Sequence, residues 1–191
     1  MRIHPLLPLF LLTACAGSNV TSMGKTGGAA PPLIISTDLV GNTGNPIGTA
    51  SVRQEPEGTR VLATITGLPP GTYALHLHAV GRCETPDFIT AGGHFNPAMK
   101  QHGSLNPMGE HAGDLPNIEI GADRKGSFDA LRPGLRLVDG TSPLIDIDGA
   151  AIVLHAGPDD YKTDPAGNAG ARIACGVLAH GRQRFDPGQT K

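Results

Sequence analysis

The sequence predicts an all-β domain: an eight-stranded antiparallel Greek-key sandwich or barrel with two long functional loops. Three observations support this prediction. The 191-residue chain contains 27 glycines and 17 prolines, and these residues separate short apolar runs by turns. Several of the runs alternate apolar and polar residues, as half-buried strands do. The sequence shows neither an internal repeat nor an amphipathic helix of useful length, and its length suits one domain with a real core.

Each predicted strand is a short apolar or alternating run that ends at a turn signal. In the run 48–54, Ala50 and Val52 alternate with polar residues and therefore share one face of a strand. About eight strands are expected among the segments 33–39, 48–54, 61–65, 73–78, 115–120, 127–131, 135–138, 150–155 and 171–178. Residues 79–112 and 157–170 show no sustained period. Loops this long without structure of their own are usually functional.

The charge pattern of the chain identifies no partner. The formal net charge is -2, charged residues make up 17% of the chain, and the two signs are mixed. A nucleic-acid-binding surface needs a basic stripe or patch, and the sequence has none. We therefore expect no nucleic-acid partner.

Residues 1–14 are predicted to be a targeting segment. Arg2 supplies a positive start, and the apolar run 6–12 is too short to span a bilayer as a helix. The run ends in Leu12-Thr13-Ala14-Cys15, which resembles a bacterial lipobox. The chain would then be cut before Cys15, and the new N-terminal cysteine would carry lipid. The alternative is an ordinary secretory signal with an incidental cysteine.

A lipidated Cys15 would place the protein in the bacterial cell envelope, facing the periplasm. Two or three acyl chains hold a protein at a membrane where one chain does not. By resemblance to sorted lipoproteins, Ala16 after the cysteine favours the outer membrane. The expected organisation is a signal peptide at 1–14, the lipidated cysteine and a flexible tether at 15–32, the folded domain at 33–180 and a polar tail at 181–191.

The three cysteines are Cys15, Cys83 and Cys175. If Cys15 carries lipid in an oxidising compartment, Cys83 and Cys175 are the one pair left for an intrachain disulfide. Closing so long a loop stabilises the fold by roughly 4–5 kcal/mol on the chain-entropy account. The alternative is a pair of free buried thiols.

Histidines concentrate in one stretch of the chain, where five of the eight lie between Leu75 and Asp114. His76 and His78 are two residues apart on a predicted strand and point to the same side. The other ligand-type side chains of the stretch lie near glycines, where the backbone can bend around an ion: His94, His102, His111 and Asp114. A lone histidine is usually a core or surface group, and a lone aspartate usually a solvated acid or helix cap. Imidazoles grouped with one carboxylate instead indicate zinc, copper or one of each, and exclude iron–sulfur chemistry.

Seven short motifs follow one another along the chain: His76-Leu77-His78, Gly81-Arg82-Cys83, Gly93-His94-Phe95-Asn96-Pro97, His102-Gly103, His111-Ala112-Gly113-Asp114-Leu115, Val153-Leu154-His155 and Gly170-Ala171-Arg172-Ile173-Ala174-Cys175-Gly176. In this order they resemble copper–zinc superoxide dismutase in its bacterial envelope form. The resemblance covers about Leu33 to Leu178, nearly all of the mature domain. Any one motif alone is weak evidence, but seven in the right order are specific.

The resemblance implies two metal sites that share one histidine, which would bridge the ions as an imidazolate. The copper ligands would be His76, His78, His94 and His155, and the zinc ligands would be His94, His102, His111 and Asp114. The implied reaction is dismutation of superoxide to oxygen and hydrogen peroxide. Copper would change oxidation state, zinc would stay redox-silent, and His94 would release copper and carry a proton during the cycle.

The resemblance also assigns residues around the metals. Arg172 matches the cationic residue at the mouth of the copper channel, where a guanidinium attracts and orients a small anion. Asp159 matches an aspartate that hydrogen-bonds one copper ligand and one zinc ligand, although the neighbouring Asp160 is an alternative.

The stretch Tyr161–Gly167 departs from the animal enzymes of the family. It is short, it lacks the acidic pair and the lysine that line their channel, and Ala166 replaces a hydroxyl residue. Lys162 is a candidate substitute for the steering charge. The resemblance leaves open whether the chain is a monomer or a homodimer.

Two other functions are weighed against the enzyme. A non-enzymatic dismutase-like domain that buffers or delivers copper and zinc predicts a missing copper ligand or a missing channel arginine. All of these residues are present: His76, His78, His94, His155 and Arg172. A mononuclear zinc hydrolase needs a general base and an open zinc, and Asp114 is better used as a ligand.

Overall fold

The structure is a computed structural model that describes Met1 and residues 32–179. The predicted targeting segment, Cys15, most of the tether, the last residue of the predicted domain and the polar tail lie outside the described residues, so those expectations stay predictions. The compact unit described below begins at Pro32.

The described chain contains nine strands and one turn of 3₁₀ helix, Ile89–Ala91. The strands are β1 Ile34–Gly41, β2 Pro46–Glu55, β3 Gly58–Thr66, β4 Gly71–Tyr73, β5 Leu75–His78, β6 Ile118–Ile120, β7 Lys125–Pro133, β8 Ala150–His155 and β9 Arg172–Leu178. None of the helices in the described part of the chain is long and apolar enough to cross a membrane.

The strands form one curled antiparallel sheet of seven strands, in the order β5-β8-β9-β1-β2-β3-β7, and a two-stranded sheet of β4 and β6. Neighbours such as β1 and β9, or β3 and β7, are far apart in sequence, as Greek-key connections require. The predicted all-β antiparallel class is therefore confirmed.

The core lies against the inner face of the curled sheet. Alternation along the strands directs every second side chain inward, and Leu39, Val52, Val61 and Ile65 are fully buried there. Burying each such side chain contributes roughly 1.5–3 kcal/mol. The polar residues between them face outward, so the sequence pattern determines which face of the sheet is buried.

A second, smaller apolar cluster surrounds the disulfide. Cys83 and Cys175 are bonded, with their Cα atoms 5.6 Å apart, and Phe88 and Val153 pack beside them. This confirms the disulfide prediction. The bond ties the loop after β5 to β9, across 92 residues of sequence.

The predicted strand 73–78 is wrong in one respect, because it is two strands. The Ala74 N–H donates to the Gly157 carbonyl at 2.8 Å, and the Ala74 carbonyl accepts the His155 N–H at 2.9 Å. As a result β4 pairs with β6, while β5 pairs with β8. The apolar pattern runs through Ala74 without interruption, so the change of partner leaves no mark on the sequence.

Other predicted boundaries are also corrected. The segment predicted as 127–131 is longer, because all of Lys125–Pro133 pairs with β3. The predicted strand at 135–138 is not a strand, although Leu135 and Leu137 are buried. The Leu137 N–H donates to the Gln54 side-chain carbonyl at 2.8 Å, and the N–H groups of Leu144 and Ile145 donate to the carbonyls at 136 and 137, both at 2.8 Å. The segment is therefore held by a few hydrogen bonds outside the described strands.

Candidate metal centre

Seven buried ligand-type residues converge at one end of the sheet. β5 supplies His76 and His78, the end of β8 supplies His155, and the loop between β5 and β6 supplies the others, His94, His102, His111 and Asp114. The site residues predicted as metal ligands are thus brought together, in two groups whose ligand atoms lie within 4.8 Å of one another. The groups are His76, His78, His94 and His155, and His94, His102, His111 and Asp114.

The long loop reaches this site because part of it pairs with β5. The Leu77 N–H donates to the Gly113 carbonyl at 2.9 Å, and the Phe95 N–H donates to the Leu77 carbonyl at 2.8 Å. A Cβ at position 113 would lie 2.3 Å from the Leu77 carbonyl oxygen, so the position requires glycine. This pairing sets His94 and Asp114, the neighbours of those residues, beside β5.

In the first group, hydrogen bonds fix the rings and leave one nitrogen of each ring free. His78 Nδ1 lies 2.9 Å from the Gly92 carbonyl oxygen, His155 Nδ1 lies 3.1 Å from that of Gly170, and His76 Nε2 lies 2.9 Å from Asp159 Oδ2. Among the described residues no hydrogen-bond partner meets the buried atoms His76 Nδ1, His78 Nε2, His94 Nε2 and His155 Nε2.

Buried polar atoms without partners are costly. Four such imidazole nitrogens facing one point are a ligand set that suits copper. The hydrogen bonds to carbonyl and carboxylate oxygens hold the protons on the opposite nitrogens, which orients each ring for metal binding. The first group therefore fits the copper that was expected there.

The second group is centred on the Asp114 carboxylate. Asp114 Oδ1 lies 2.8 Å from His94 Nδ1 and 3.1 Å from Nδ1 of both His102 and His111. The other oxygen, Oδ2, accepts the N–H groups of Gly103 at 2.9 Å and His111 at 3.0 Å. Three imidazoles and one carboxylate form the closed four-ligand set of a structural zinc site, so this group fits zinc.

His94 belongs to both groups. Its Nδ1 faces Asp114 in the second group, while its Nε2 is one of the partnerless nitrogens of the first. The His94 ring centroid is 4.1 Å from that of His76 and 5.3 Å from that of His111. One imidazole thus presents a nitrogen to each group.

Asp159 contacts one ring from each group. Its Oδ2 lies 2.9 Å from His76 Nε2, and its Oδ1 lies 2.9 Å from His102 Nε2. The exposed Asp160 instead accepts hydrogen bonds from Thr163 Oγ1 at 2.6 Å and Asn168 Nδ2 at 2.9 Å. Of the two aspartates considered from the sequence, Asp159 is the one placed between the rings.

The electrostatics of the two groups differ. Burial lowers the pKa of His94 to about 4 and that of His155 to about 3, and burial also lowers the pKa of His78 well below its usual value. These rings are neutral at pH 7, which is the form that binds metal. Burial acts in the same direction on His102, but its hydrogen bonds to Asp114 and Asp159 outweigh it and raise the pKa to about 9.

The two carboxylates stay ionised. Burial alone would raise the pKa values of Asp114 and Asp159, but hydrogen bonds from His102 and other donors outweigh it and hold both well below the usual range. A metal that binds His102 must displace a proton from it, because the coordinating nitrogen has to be free.

Arg172, at the start of β9, lies next to the first group. Its Nη1 donates to the Phe88 carbonyl at 2.6 Å, and its Nη2 donates to the Gly92 carbonyl at 2.7 Å. The same Gly92 oxygen is the partner of His78 Nδ1. Burial lowers the pKa of Arg172 and the charge of Asp87 raises it, but a guanidinium remains charged at neutral pH.

Three residues that sequence reasoning missed support the site. Asn117 and Tyr161 hold Asp159 in place, with contacts described below. Gly167 has φ +62°, and a Cβ there would lie 1.9 Å from Asp159 Oδ1. Nothing in the sequence marks these residues, because each acts on a partner distant in sequence or through a close approach of the backbone.

The fold and the two adjoining ligand groups define an all-β metalloprotein with a two-metal centre. Residues 46–178 match the family model described as copper/zinc superoxide dismutase. The chain is 47% identical over 153 residues to superoxide dismutase [Cu-Zn] 1 of Aquifex aeolicus, an alignment that covers 78% of this chain and 89% of the relative.

Two solved structures show the same similarity. A crystal structure of a SOD-like protein from Bacillus subtilis has 42% sequence identity and a TM-score of 0.72, covering 75% of this chain and 97% of that one. Cu/Zn superoxide dismutase from Brucella abortus has 28% identity and a TM-score of 0.62, covering 76% and 99%. The chain belongs to the copper/zinc superoxide dismutase family. It is an oxidoreductase whose metals are copper and zinc.

Proposed function

We propose that this protein dismutates superoxide at a copper–zinc site bridged by His94. Two superoxide anions and two protons give one oxygen molecule and one hydrogen peroxide. The observation that carries the proposal is the position of His94, whose Nδ1 faces the Asp114 group while its Nε2 faces the group of three other partnerless histidine nitrogens.

The ligand assignments follow from the two groups. Copper would be held by His76, His78, His94 and His155, and zinc by His94, His102, His111 and Asp114. When bound, copper supplies one-electron exchange with superoxide and zinc supplies a fixed, redox-silent positive charge. Asp159 holds His76 and His102 through their Nε2 atoms, so that both rings present Nδ1 to the metals.

Two side chains act on the substrate and its protons. The Arg172 guanidinium, fixed by two backbone carbonyls, is a cationic anchor for the superoxide anion beside the first group. The His94 Nε2 atom, when it is not a ligand, can hold one of the two protons that peroxide formation consumes, while Nδ1 keeps the ring in place at the Asp114 group.

The test combines metal analysis with a superoxide-decay assay and copper spectroscopy. One copper and one zinc per chain, with decay that stops after copper chelation, is the expected result. In addition, zinc binding should alter the Cu(II) EPR spectrum of the wild type, and His94→Ala should abolish that response because the bridge is lost. A Cu(II) spectrum that is insensitive to zinc in the wild type would rule out the bridge.

A second function is favoured by one specific observation, since some similar proteins are named only SOD-like. A non-enzymatic protein of this kind would bind or deliver copper and zinc without turnover. The present chain keeps all four nitrogens of the first group and Arg172 beside them, which supports the enzyme. Absence of dismutation at verified full copper and zinc occupancy would favour the second function.

We also propose that Cys15 is lipidated and anchors the protein in the bacterial envelope at the outer membrane, facing the periplasm. The support is the Leu12-Thr13-Ala14-Cys15 sequence after a short apolar run. In membrane fractionation the wild type should follow the membranes, and Cys15→Ser should not be lipidated. Sedimentation velocity of the mature domain decides between monomer and homodimer.

A further inference from the structure

Asp159 is held by two residues that lie outside both ligand groups. The Asp159 N–H donates to Asn117 Oδ1 at 2.8 Å, and Asn117 Nδ2 donates to the Asp159 carbonyl at 3.0 Å. Asn117 thereby binds both backbone groups of Asp159, as a strand partner would. The two residues are 42 positions apart, so the contact joins the segment before β6 to the loop after β8.

Tyr161 completes the arrangement with each of its polar groups. Its N–H donates to Asp159 Oδ1 at 2.6 Å, its hydroxyl oxygen accepts the Asn117 N–H at 2.8 Å, and its carbonyl accepts the Leu105 N–H at 3.0 Å. Tyr161 has φ +61°, which is uncommon for a residue with a side chain. The three hydrogen bonds from three different segments over-determine this conformation.

We propose that Asn117 and Tyr161 are positioning residues that fix the Asp159 carboxylate before either metal binds. The short loop Tyr161–Gly167, which lacks the charged residues of the animal channel, would thus serve to orient ligands. The inference rests on the proposed ligand set, in which His76 belongs to copper and His102 to zinc.

Because Asp159 contacts both ligand groups, a change at Asn117 or Tyr161 should affect the binding of both metals, which a hydrogen bond that only stabilises the fold would not do. Asp159 is buried, with a side chain that is 0% exposed, and it contacts one ring of each group. Loosening Asp159 therefore disturbs His76 and His102 together. The affinities for copper and zinc should fall in parallel, although neither Asn117 nor Tyr161 contacts a proposed ligand side chain in the hydrogen-bond pattern.

The test compares Tyr161→Phe and Asn117→Ala with Tyr73→Phe. The chain has two tyrosines, and Tyr73 is a matched control because its hydroxyl donates to the Pro69 carbonyl at 3.0 Å, outside the site. Dissociation constants for Zn(II) and Cu(II) are measured by chelator competition on the full chain, with the Cu(II) EPR spectrum at full occupancy. Altering a residue that orients metal ligands weakens metal binding 10- to 100-fold. We expect about a tenfold rise in both constants for Tyr161→Phe and a larger rise for Asn117→Ala, both with altered EPR spectra.

Dissociation constants and EPR spectra for both variants that equal those of Tyr73→Phe would overturn the proposal, even if the metal-free proteins melted earlier. A rise for one metal alone would also overturn it. Asp159→Asn serves as the reference for the proposed site. If that variant keeps wild-type affinities, the fault lies in the role given to Asp159; if it weakens both metals while the other two variants do not, the positioning role of Asn117 and Tyr161 is wrong.

Discussion

The first group, proposed to bind copper and here called the copper group, adjoins the second, proposed to bind zinc and here called the zinc group. The two are built from different parts of the fold. Three of the four proposed copper ligands, His76, His78 and His155, lie on paired strands. Backbone carbonyls orient two of these rings, and burial keeps His78 and His155 neutral by lowering their pKa values. The sheet therefore prepares this group before a metal arrives.

All four proposed zinc ligands lie on the loop between β5 and β6. The three histidines surround the ionised Asp114, and the carboxylates of Asp114 and Asp159 outweigh burial and raise the pKa of His102 to about 9. The loop is thus held together by charge, and zinc would take over the role that the proton of His102 has in the metal-free protein. From this difference we expect copper to bind a group that the sheet has already arranged, and zinc also to stabilise the loop that binds it.

The largest expected effect comes from His78→Ala. Loss of one proposed copper ligand on a strand should abolish dismutation while the zinc content stays at that of the wild type, because His78 is not one of the four residues of the Asp114 group. Superoxide decay and metal analysis on the same sample check this. If His78→Ala kept wild-type activity at verified copper occupancy, His78 could not be an essential copper ligand.

Asp114→Ala should instead remove zinc binding and the stability that zinc gives to the folded state. Zinc binding to the folded state alone stabilises it by about 4 kcal/mol at a free zinc concentration of a thousand times the dissociation constant. The variant should lose this zinc-dependent rise in melting temperature, and removing zinc from the wild type with a chelator should reproduce the loss. Melting curves with and without zinc provide the measurement. A zinc-dependent rise that persists in Asp114→Ala would place zinc elsewhere.

Arg172→Ala should leave both metals bound and slow the reaction by about ten- to a hundredfold, because the anion loses its cationic anchor. The rate should also depend less on ionic strength, since salt screens the attraction that the guanidinium supplies. Rates across a salt series provide the measurement. Loss of metal in this variant would mean that Arg172 supports the copper group instead of the substrate.

Gly167→Ala sharpens the comparison because it should disturb both groups, since its Cβ would approach Asp159 and would also lie 2.7 Å from His102 Nε2. Its Cβ would overlap Asp159 Oδ1, at 1.9 Å, in a left-handed backbone conformation. We expect a loss of about 1–3 kcal/mol in the free energy of unfolding and weaker binding of both metals. Gly157→Ala is the control on the same loop, because its Cβ would meet nothing closer than 3.6 Å. Equal denaturation midpoints for the two variants would contradict the role of Gly167.

Much of the fold was predictable because its signals are local. Alternation identified most strands, and counting cysteines led to the disulfide. The division at Ala74 was not predictable, since it depends on which strands pair rather than on a break in the apolar pattern. The segment 135–138 looks like a strand because Leu135 and Leu137 are buried, yet their burial comes from packing outside the ladder.

The proposed ligand residues were predicted from seven motifs in a specific order. Composition alone would not have identified them. The choice between Asp159 and Asp160 was open in the sequence, because neighbouring aspartates differ only in the direction of their side chains. Asn117 carried no sequence signal of this role, because it meets Asp159 only in the folded chain. Tyr161 and Gly167 carried none because they act through a backbone N–H and a close approach of the backbone, which no residue type marks.

The carbonyl oxygen of Gly92 receives both His78 and Arg172. The proposed copper ligand His78 and the proposed anion anchor Arg172 are therefore both held by the same backbone oxygen. His78 lies on β5 and Arg172 begins β9, so this one oxygen fixes the distance between two side chains that different strands supply. In the proposed enzyme, the width of the superoxide site would then be set by a single backbone oxygen rather than by a channel wall.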